Sequence, residues 1–423
     1  MVKMKPRAAD FYRINPPGVC SRRNRLTAVD LFAGAGGISL GLMNSGFDVL
    51  FASDISGPCM ATHTLNLPNI KFQQTDIRSL SGAKILRQTG LGRGELDLLI
   101  GGPPCQGFSI LGQRVLEDPR NRLFQEFVRI VGELKPRVAV IENVPGLATL
   151  SKGVLLSRIG AAFGRLGYRV ECAELLAAQY GVPQMRWRMF FVAWRSDFGP
   201  RTAGFPVPTH GRLGIGDLVP NRKITDVQSK GFLSIWDAIS DLPPIESGEV
   251  GTIYTNKPKS PYQVAMRANC KRAELHNHYA PKLSPINLQR IQTLQPGQDW
   301  RDLPRELLPP GMQRALRKDH TRRFRRMKWD GIARAIITRF RDPKSGEYIH
   351  PDQTRTISIR EAARIQSFPD WFVFEGNYTD QYDQIGNAVP PLLARAVGTE
   401  IQQALAAASV ERIVPKSRYK IPA

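Results

Sequence analysis

Residues 27–47 read TAVDLFAGAGGISLGLMNSGF: an apolar stretch carrying one acid, Asp30, then a glycine-rich turn, then a helical run. Glycine at a strand-to-helix turn lets the main chain approach a bound molecule closely, and the first turn of the helix offers free N–H groups. Short apolar runs recur further along, separated by helix-length stretches: DVLFASD (48–54), LDLLIGG (96–102), RVAVIENV (137–144) and RMFFVAW (188–194). This alternation from residue 26 to about 194 predicts an α/β fold, a doubly wound, mostly parallel sheet with helices on both faces.

Open α/β sheets bind ligands at the carboxyl ends of their strands, so the residues just after each run are the candidate site. The first strand delivers Asp30, Phe32, Gly34, Gly36 and Gly37. The second ends at Asp54, twenty positions after Gly34 and placed for ribose hydroxyls. The third leads to Asp76 and Ile77, an acid and an apolar neighbour suited to the edge and face of an adenine. The glycine spacing is not that of the usual dinucleotide fingerprint, so the turn alone reads equally as structural; the two further acids favour a ligand.

LDLLIGG runs into Gly102-Pro103-Pro104-Cys105-Gln106-Gly107-Phe108-Ser109. A core cysteine normally lies inside an apolar run, whereas Cys105 follows two prolines beyond a strand end, where a thiolate can meet a substrate. Cys20, Cys59, Cys172 and Cys270 have no such setting and read as structural. RVAVIENV ends in Glu142-Asn143. An acid after an apolar run is either paired with an arginine or held as a raised-pKa acid at an active site. In QMRWRMF, Gln184, Arg186 and Arg188 share one face at strand periodicity, fit to bind a planar polar base and its phosphate, or to pair with Glu142.

From 197 to about 354 proline and glycine become frequent, basic residues cluster (RRFRRMK, 322–328) and the strand–helix rhythm is lost, which predicts a second, irregular and partly β domain. Ser358 and Glu361 have capping-box spacing before a helical run, and residues 388–408 read as one helix with Leu393, Val397, Ile401 and Leu405 on one face. Residues 1–26 are basic and aperiodic and read as an extension. The domains are therefore expected at 27–196 with 381–423, and at 197–380. His276 and His278 lack a further ligand nearby, and no metal is expected.

The 59 Lys and Arg against 37 Asp and Glu leave a formal charge of +22 over 423 residues, which points to a polyanion such as nucleic acid. Hydrophobic content of 42% excludes global disorder, no apolar run reaches membrane-spanning length, and five cysteines without a C-x-x-C pair suit a reducing cytoplasm better than a disulfide scaffold.

The ordered series DLFAGAGG, PPCQGFS, ENVPG, QMRWRMFFV, TISIREAARIQSFPDWF and QIGNAVPP resembles that of the DNA (cytosine-5)-methyltransferases, of the bacterial modification type. The resemblance spans most of 27–195 and 350–400. It implies a Rossmann-like domain dependent on S-adenosylmethionine (product S-adenosylhomocysteine) and a smaller target-recognition domain. Cys105 matches the nucleophile, Glu142 the acid that engages cytosine N3, and Arg186 and Arg188 the arginines of the catalytic pocket. Phe32, Gly34, Gly36, Asp54, Asp76, Pro104, Leu123 and Asn387 match positions around the cofactor, with Gly37, Ile77 and Val389 beside them, and the last helix is implied to return to the first domain. The ribose-binding acid of the family is usually Glu; here it is Asp54, followed by Ile55 where an aromatic often packs on adenine. Gln106, Ser109, Asn143 and Gln184 are expected on the substrate side. The loop after Cys105 is expected to close over a flipped base, with Arg114 or Arg120 near phosphates. The partners implied are double-stranded DNA, bound by a monomer, and a restriction or other phage-defence system. A tRNA cytosine-5 methyltransferase is the alternative that keeps the chemistry; a non-catalytic relic and a nicotinamide oxidoreductase fit the motif set less well.

Overall fold

Seven strands build the central sheet: β1 (Thr27–Leu31), β2 (Asp48–Asp54), β3 (Lys71–Gln74), β4 (Leu98–Gly101), β5 (Val138–Asn143), β6 (Tyr168–Leu176) and, after a two-residue strand β7 (Gln184–Met185), β8 (Trp187–Arg195). The computed structural model describes residues 8–17, 26–104, 122–145, 154–198, 204–211, 230–270, 274–314 and 322–413. Spatial order is β3-β2-β1-β4-β5-β8-β6. The first five strands are parallel, while β8 runs antiparallel to both β5 and β6. The sheet is therefore mixed and mostly parallel, an α/β fold of the Rossmann-like class. β1, β4 and β5 are almost continuously apolar because helices cover both faces. Asp97 ties three of them together: it accepts from the Thr27 N–H at 2.7 Å and pairs with Arg137 at 2.6 Å.

Helices α1 (Gly37–Asn44), α2 (Gly57–Asn66), α3 (Gly82–Thr89), α4 (Arg122–Leu134) and α5 (Val154–Arg165) cross between strands. In α4, Phe127, Ile130, Val131 and Leu134 recur at i, i+3, i+4 and i+7 and are fully buried against the sheet. A helix at Pro391–Ile413 packs along α1, with Leu393, Val397, Ile401 and Leu405 inward. The two helices come close because Gly41 has no side chain: a methyl there would lie 2.7 Å from the Pro391 carbonyl oxygen.

Residues 8–17, part of the stretch read as an extension, are packed. Tyr12 and Ile14 are buried, Tyr12 Oη meets His210 Nε2 at 2.8 Å, and Arg395 donates to the Phe11 and Arg13 carbonyls. Aromatic rings and main-chain acceptors seat this segment, so a reading by charge and period missed it.

The middle region holds short helices at Ile235–Ile239, Pro261–Met266 and Pro285–Thr293 and an antiparallel pair, β9 (Val250–Ile253) with β10 (Glu274–Tyr279). A separate small core forms around Ile291, Trp300, Leu308 and Phe324. The segment 235–280, by contrast, shares the main core with 357–374, across a seam of buried charge. Arg364, fully buried, donates to Asp241 and, at 2.6 Å, to Asp370, which also accepts from Tyr254. The helix that carries it, Ile359–Ile365, starts at the Ser358–Glu361 capping box. Replacing Arg364 with Ala leaves two buried carboxylates without their main cation and should destabilise the fold by about 3–5 kcal/mol. Urea unfolding that shows less than about 1 kcal/mol would mean water or Arg360 takes over the pairing.

Candidate active site

The carboxyl edge of the sheet opens on a cavity of about 440 Å³, walled by the turn after β1, the ends of β2, β4 and β5, and the helix Tyr378–Asn387. The turn is shaped for close approach. Phe32 and Gly34 take φ of 58° and 54°, and Gly36 takes 103°. A non-glycine residue in the left-handed region is strained, and Phe32 is held there at the cavity wall. Asp54 closes the turn from the neighbouring strand: its carboxylate accepts from the Gly34 and Ser56 N–H groups, both at 2.9 Å. Gly37 abuts the carbonyl of Val389 with no room for a side chain, so the late GNAVPP segment sits directly on the glycine turn.

Of the residues expected around a cofactor, Phe32, Gly34, Gly37, Asp54, Ile55, Pro104, Asn387 and Val389 line this cavity. The other five are not in its described lining. Gly36 faces His63. Leu123 and the buried Ile77 pack in the core on the α3–α4 side, and Asp76 caps its own turn and pairs with Arg78, which holds its carboxyl below the usual range. Asp30 lies beneath the turn, fully buried, accepting from Ser39 Oγ at 2.6 Å while His63 Nε2 meets the same hydroxyl at 3.2 Å. The second Asp30 oxygen has no partner among the described residues.

Burial, only partly offset by Ser39, raises the Asp30 carboxyl to about 7. A folded-state value above the unfolded one means that the native protein binds more protons between pH 4 and 7, so this group costs stability as pH rises through that window. Asp30→Asn should therefore flatten the fall in melting temperature between pH 5 and 8; parallel profiles for the two proteins would contradict it.

The opposite wall carries residues not singled out in the sequence. Asp380, Asp383 and Gln384, with Asn387, fall at i, i+3, i+4 and i+7 of one helix, so they share a face and point into the cavity. That spacing, next to GNAVPP, was the available signal. With Asp54 and Glu142 the described lining holds four carboxylates and no lysine or arginine. Cys59 also lines it, but burial pushes its thiol up to about 11, which leaves it uncharged.

Glu142 ends β5 where the antiparallel strand β8 begins, and this brings Arg188 alongside it: Nε lies 2.6 Å from Oε1. Both side chains are about 90% buried. Gly102, at the end of β4, leaves the space, since a methyl there would lie 3.0 Å from Glu142 Oε2. Burial raises the Glu142 carboxyl while Arg188 and, further off, Arg186 pull it back. Asn143 donates to the Pro103 carbonyl at 2.9 Å and so fixes the segment that enters Cys105.

Gln184 and Arg186 do not share a working face with Arg188. The chain leaves one sheet after Met185 and enters another at Trp187. Arg186 turns into the seam and donates to the carbonyls of Ile336 (2.7 Å), Gly386 (2.9 Å) and Ala388 (3.0 Å). Gln184, fully buried, spends its amide on Ile365, Gln366 and Ile336. Arg186 thus holds the 386–388 segment of the cavity wall, and Gln184 ties residue 336 to 365–366. His278 is likewise occupied, by Ser358 and the Pro243 carbonyl. Cys105, Gln106, Ser109, Arg114 and Arg120 lie outside the described residues.

The profile of the C-5 cytosine-specific DNA methylases matches residues 26–403. The chain belongs to this family. The type II methyltransferase M.AgeI of Thalassovita gelatinovora is 32% identical over 90% of this chain and 100% of its own length. M1.HphI of Haemophilus parahaemolyticus is 35% identical over 89% of this chain and 86% of its own. Among solved structures, a protein described as a DNA modification methyltransferase encoded within an E. coli prophage superposes with a TM-score of 0.67 at 26% identity, covering 90% of this chain and 99% of that one. The Dnmt2 methyltransferase of S. pombe, at 16% identity and a TM-score of 0.55, shares the fold. The chain is thus a DNA (cytosine-5)-methyltransferase of the type II modification kind. Among the described residues no helix of this methyltransferase is long and apolar enough to cross a membrane.

Proposed function

We propose that the enzyme methylates C5 of a cytosine flipped out of a specific duplex DNA sequence, with S-adenosylmethionine as donor and a transient bond between Cys105 Sγ and C6. The observation that supports it best is the cavity itself. Besides Glu142, which Arg188 pairs, three carboxylates (Asp54, Asp380 and Asp383) and no basic side chain in its described lining suit a cationic ligand, and they disfavour the pyrophosphate of a nicotinamide dinucleotide. S-adenosylmethionine is such a cation and, when bound, supplies an electrophilic methyl group. Asp54, Phe32, Ile55 and the backbone of the glycine turn would hold its nucleoside end; Asn387 and Val389 close the cavity from the other side.

Cytosine C5 is too weak a nucleophile to take a methyl group unaided. Addition of the Cys105 thiolate to C6 places electron density on C5, splitting one hard step into easier ones. Glu142, kept largely dry, would donate to N3 as charge develops there, and Arg188 fixes its carboxyl. Afterwards the C5 proton leaves and the C–S bond breaks, which restores the aromatic ring and the thiolate. The target must leave the stack for this, at a cost of a few kcal/mol. Arg186 and Gln184 act as positioning residues, and the middle region would read base edges. A modification enzyme of this kind protects host DNA beside a restriction or related phage-defence system.

Bisulfite sequencing of DNA from a host that expresses the chain tests the reading: conversion blocked at one cytosine of a recurring sequence supports it. Transfer of labelled methyl to tRNA and not to duplex DNA would overturn it in favour of an RNA substrate.

A further inference from the structure

The basic run Arg322–Lys328 is not a uniform charged face. Phe324 and Met327 are buried in it, and Arg326 is buried too, donating to the carbonyls of Pro351 (3.2 Å) and Ile291 (2.9 Å). The other cations converge elsewhere. Arg322, Arg325 and Lys328, joined by Arg334 from a two-residue strand at 333–334, surround a cavity of about 290 Å³ floored by Met185. The described lining contains one carboxylate, Glu347, whose side chain is 11% exposed. It lies 3.2 Å from Arg322, 3.3 Å from Arg325 and 4.0 Å from Arg334. Arg325 is also held by Asp299, at 3.4 Å, so four cations against two carboxylates leave two charges in excess (4 − 2 = 2). Lys328 has no carboxylate within 4 Å among the described residues. One largely buried acid thus gathers three guanidinium groups about one concave site and neutralises only a fraction of them.

The position is informative. Arg334 stands in register with Met185, in a parallel pair whose other rung is Ala333 with Gln184. Met185 precedes Arg188 by three residues, roughly 10 Å along an extended chain. One wall of the cavity therefore lies no more than that distance, in chain, from the arginine that pairs with Glu142.

We infer that this cavity is a phosphate clamp that grips the DNA backbone near the flipped cytosine, with Arg322, Lys328 and Arg334 as its hands and Glu347 as the residue that sets the spacing of the two arginines. Guanidinium forks match phosphate oxygens in pairs, and a clamp next to the strand that bears Arg188 fixes the register of the duplex relative to the catalytic edge. The inference rests on the reading of the protein as a duplex-DNA methyltransferase.

Binding of a duplex oligonucleotide, followed over a range of salt concentrations, tests it on the full chain. Each lost phosphate contact lowers the slope of log K against log salt by about 0.9. Arg322→Gln with Arg334→Gln should lower the slope by about 2 and weaken cognate and unrelated duplexes alike. Arg323→Gln, which changes an exposed arginine of the same run that does not line the cavity, should leave the slope within 0.3 or so of wild type. A double variant with the wild-type slope would overturn the clamp while leaving the methyltransferase reading intact. So would an Arg323→Gln loss as large as that at Arg334, since the effect would then be general charge. A wild-type protein that binds duplex DNA with no salt dependence would instead remove the reading on which the clamp depends.

Discussion

Replacing Cys105 with Ala is expected to abolish methyl transfer, by roughly 10⁴-fold or more, while cofactor affinity stays within about threefold of wild type. The split follows from the architecture. The side of the cavity proposed to hold the cofactor is built by the β1 turn, Asp54 and the helix Tyr378–Asn387, none of which needs the thiol. Without the thiolate nothing activates C5, so the loss falls on turnover and not on the binding of donor. The other described cysteines do not substitute. Burial raises Cys59 and Cys270 to about 11, and raises Cys172 as well, so none is a thiolate near neutral pH. Stopped-flow or equilibrium binding of the cofactor beside labelled-methyl assays checks both halves. Turnover within tenfold of wild type would remove Cys105 as the nucleophile.

Glu142→Gln carries the second large effect, a loss of about 10²–10⁴ in turnover. The wild-type carboxyl is raised by burial, so its protonated form persists to higher pH than that of an exposed glutamate. Activity that needs this proton falls as pH rises through the folded-state value. The variant should lack that alkaline limb. The exchange also leaves the Arg188 guanidinium in its buried place without a charge partner, so a lowered melting temperature should accompany the loss. A variant with an unchanged pH profile would show that another group governs the limb.

Much of this was legible in the chain before its structure. Strand ends carrying Asp54 and Glu142 bring both carboxyls to one sheet edge because parallel strands all finish on the same side. Ser358 with Glu361, and the stripe Leu393–Val397–Ile401–Leu405, are local patterns, and local patterns survive into the fold. What stayed hidden depends on partners far along the chain. Period two puts Gln184, Arg186 and Arg188 on one face, but the strand breaks at Arg186 because carbonyls some 150 to 200 residues away claim its guanidinium. Asp30 looks like a ligand-binding acid in DLFAG, yet its partner is Ser39 beneath the turn. The acidic face of Asp380, Asp383 and Gln384 had the right spacing, but nothing in the sequence says that this helix faces the glycine turn. Tyr12 and Ile14 sit in a segment whose charge masks its packing.

The proposed intermediate is a bond between the sulfur of Cys105 and C6 of an extruded cytosine. It is tested most directly by a duplex that carries 5-fluorocytosine at the target position, incubated with enzyme and S-adenosylmethionine and examined by peptide mass mapping. Fluorine cannot leave as the proton does, so the expected result is a stable protein–DNA adduct on the peptide that contains Cys105. Normal methylation of the unmodified duplex with no adduct at Cys105 on the fluorinated one would contradict it.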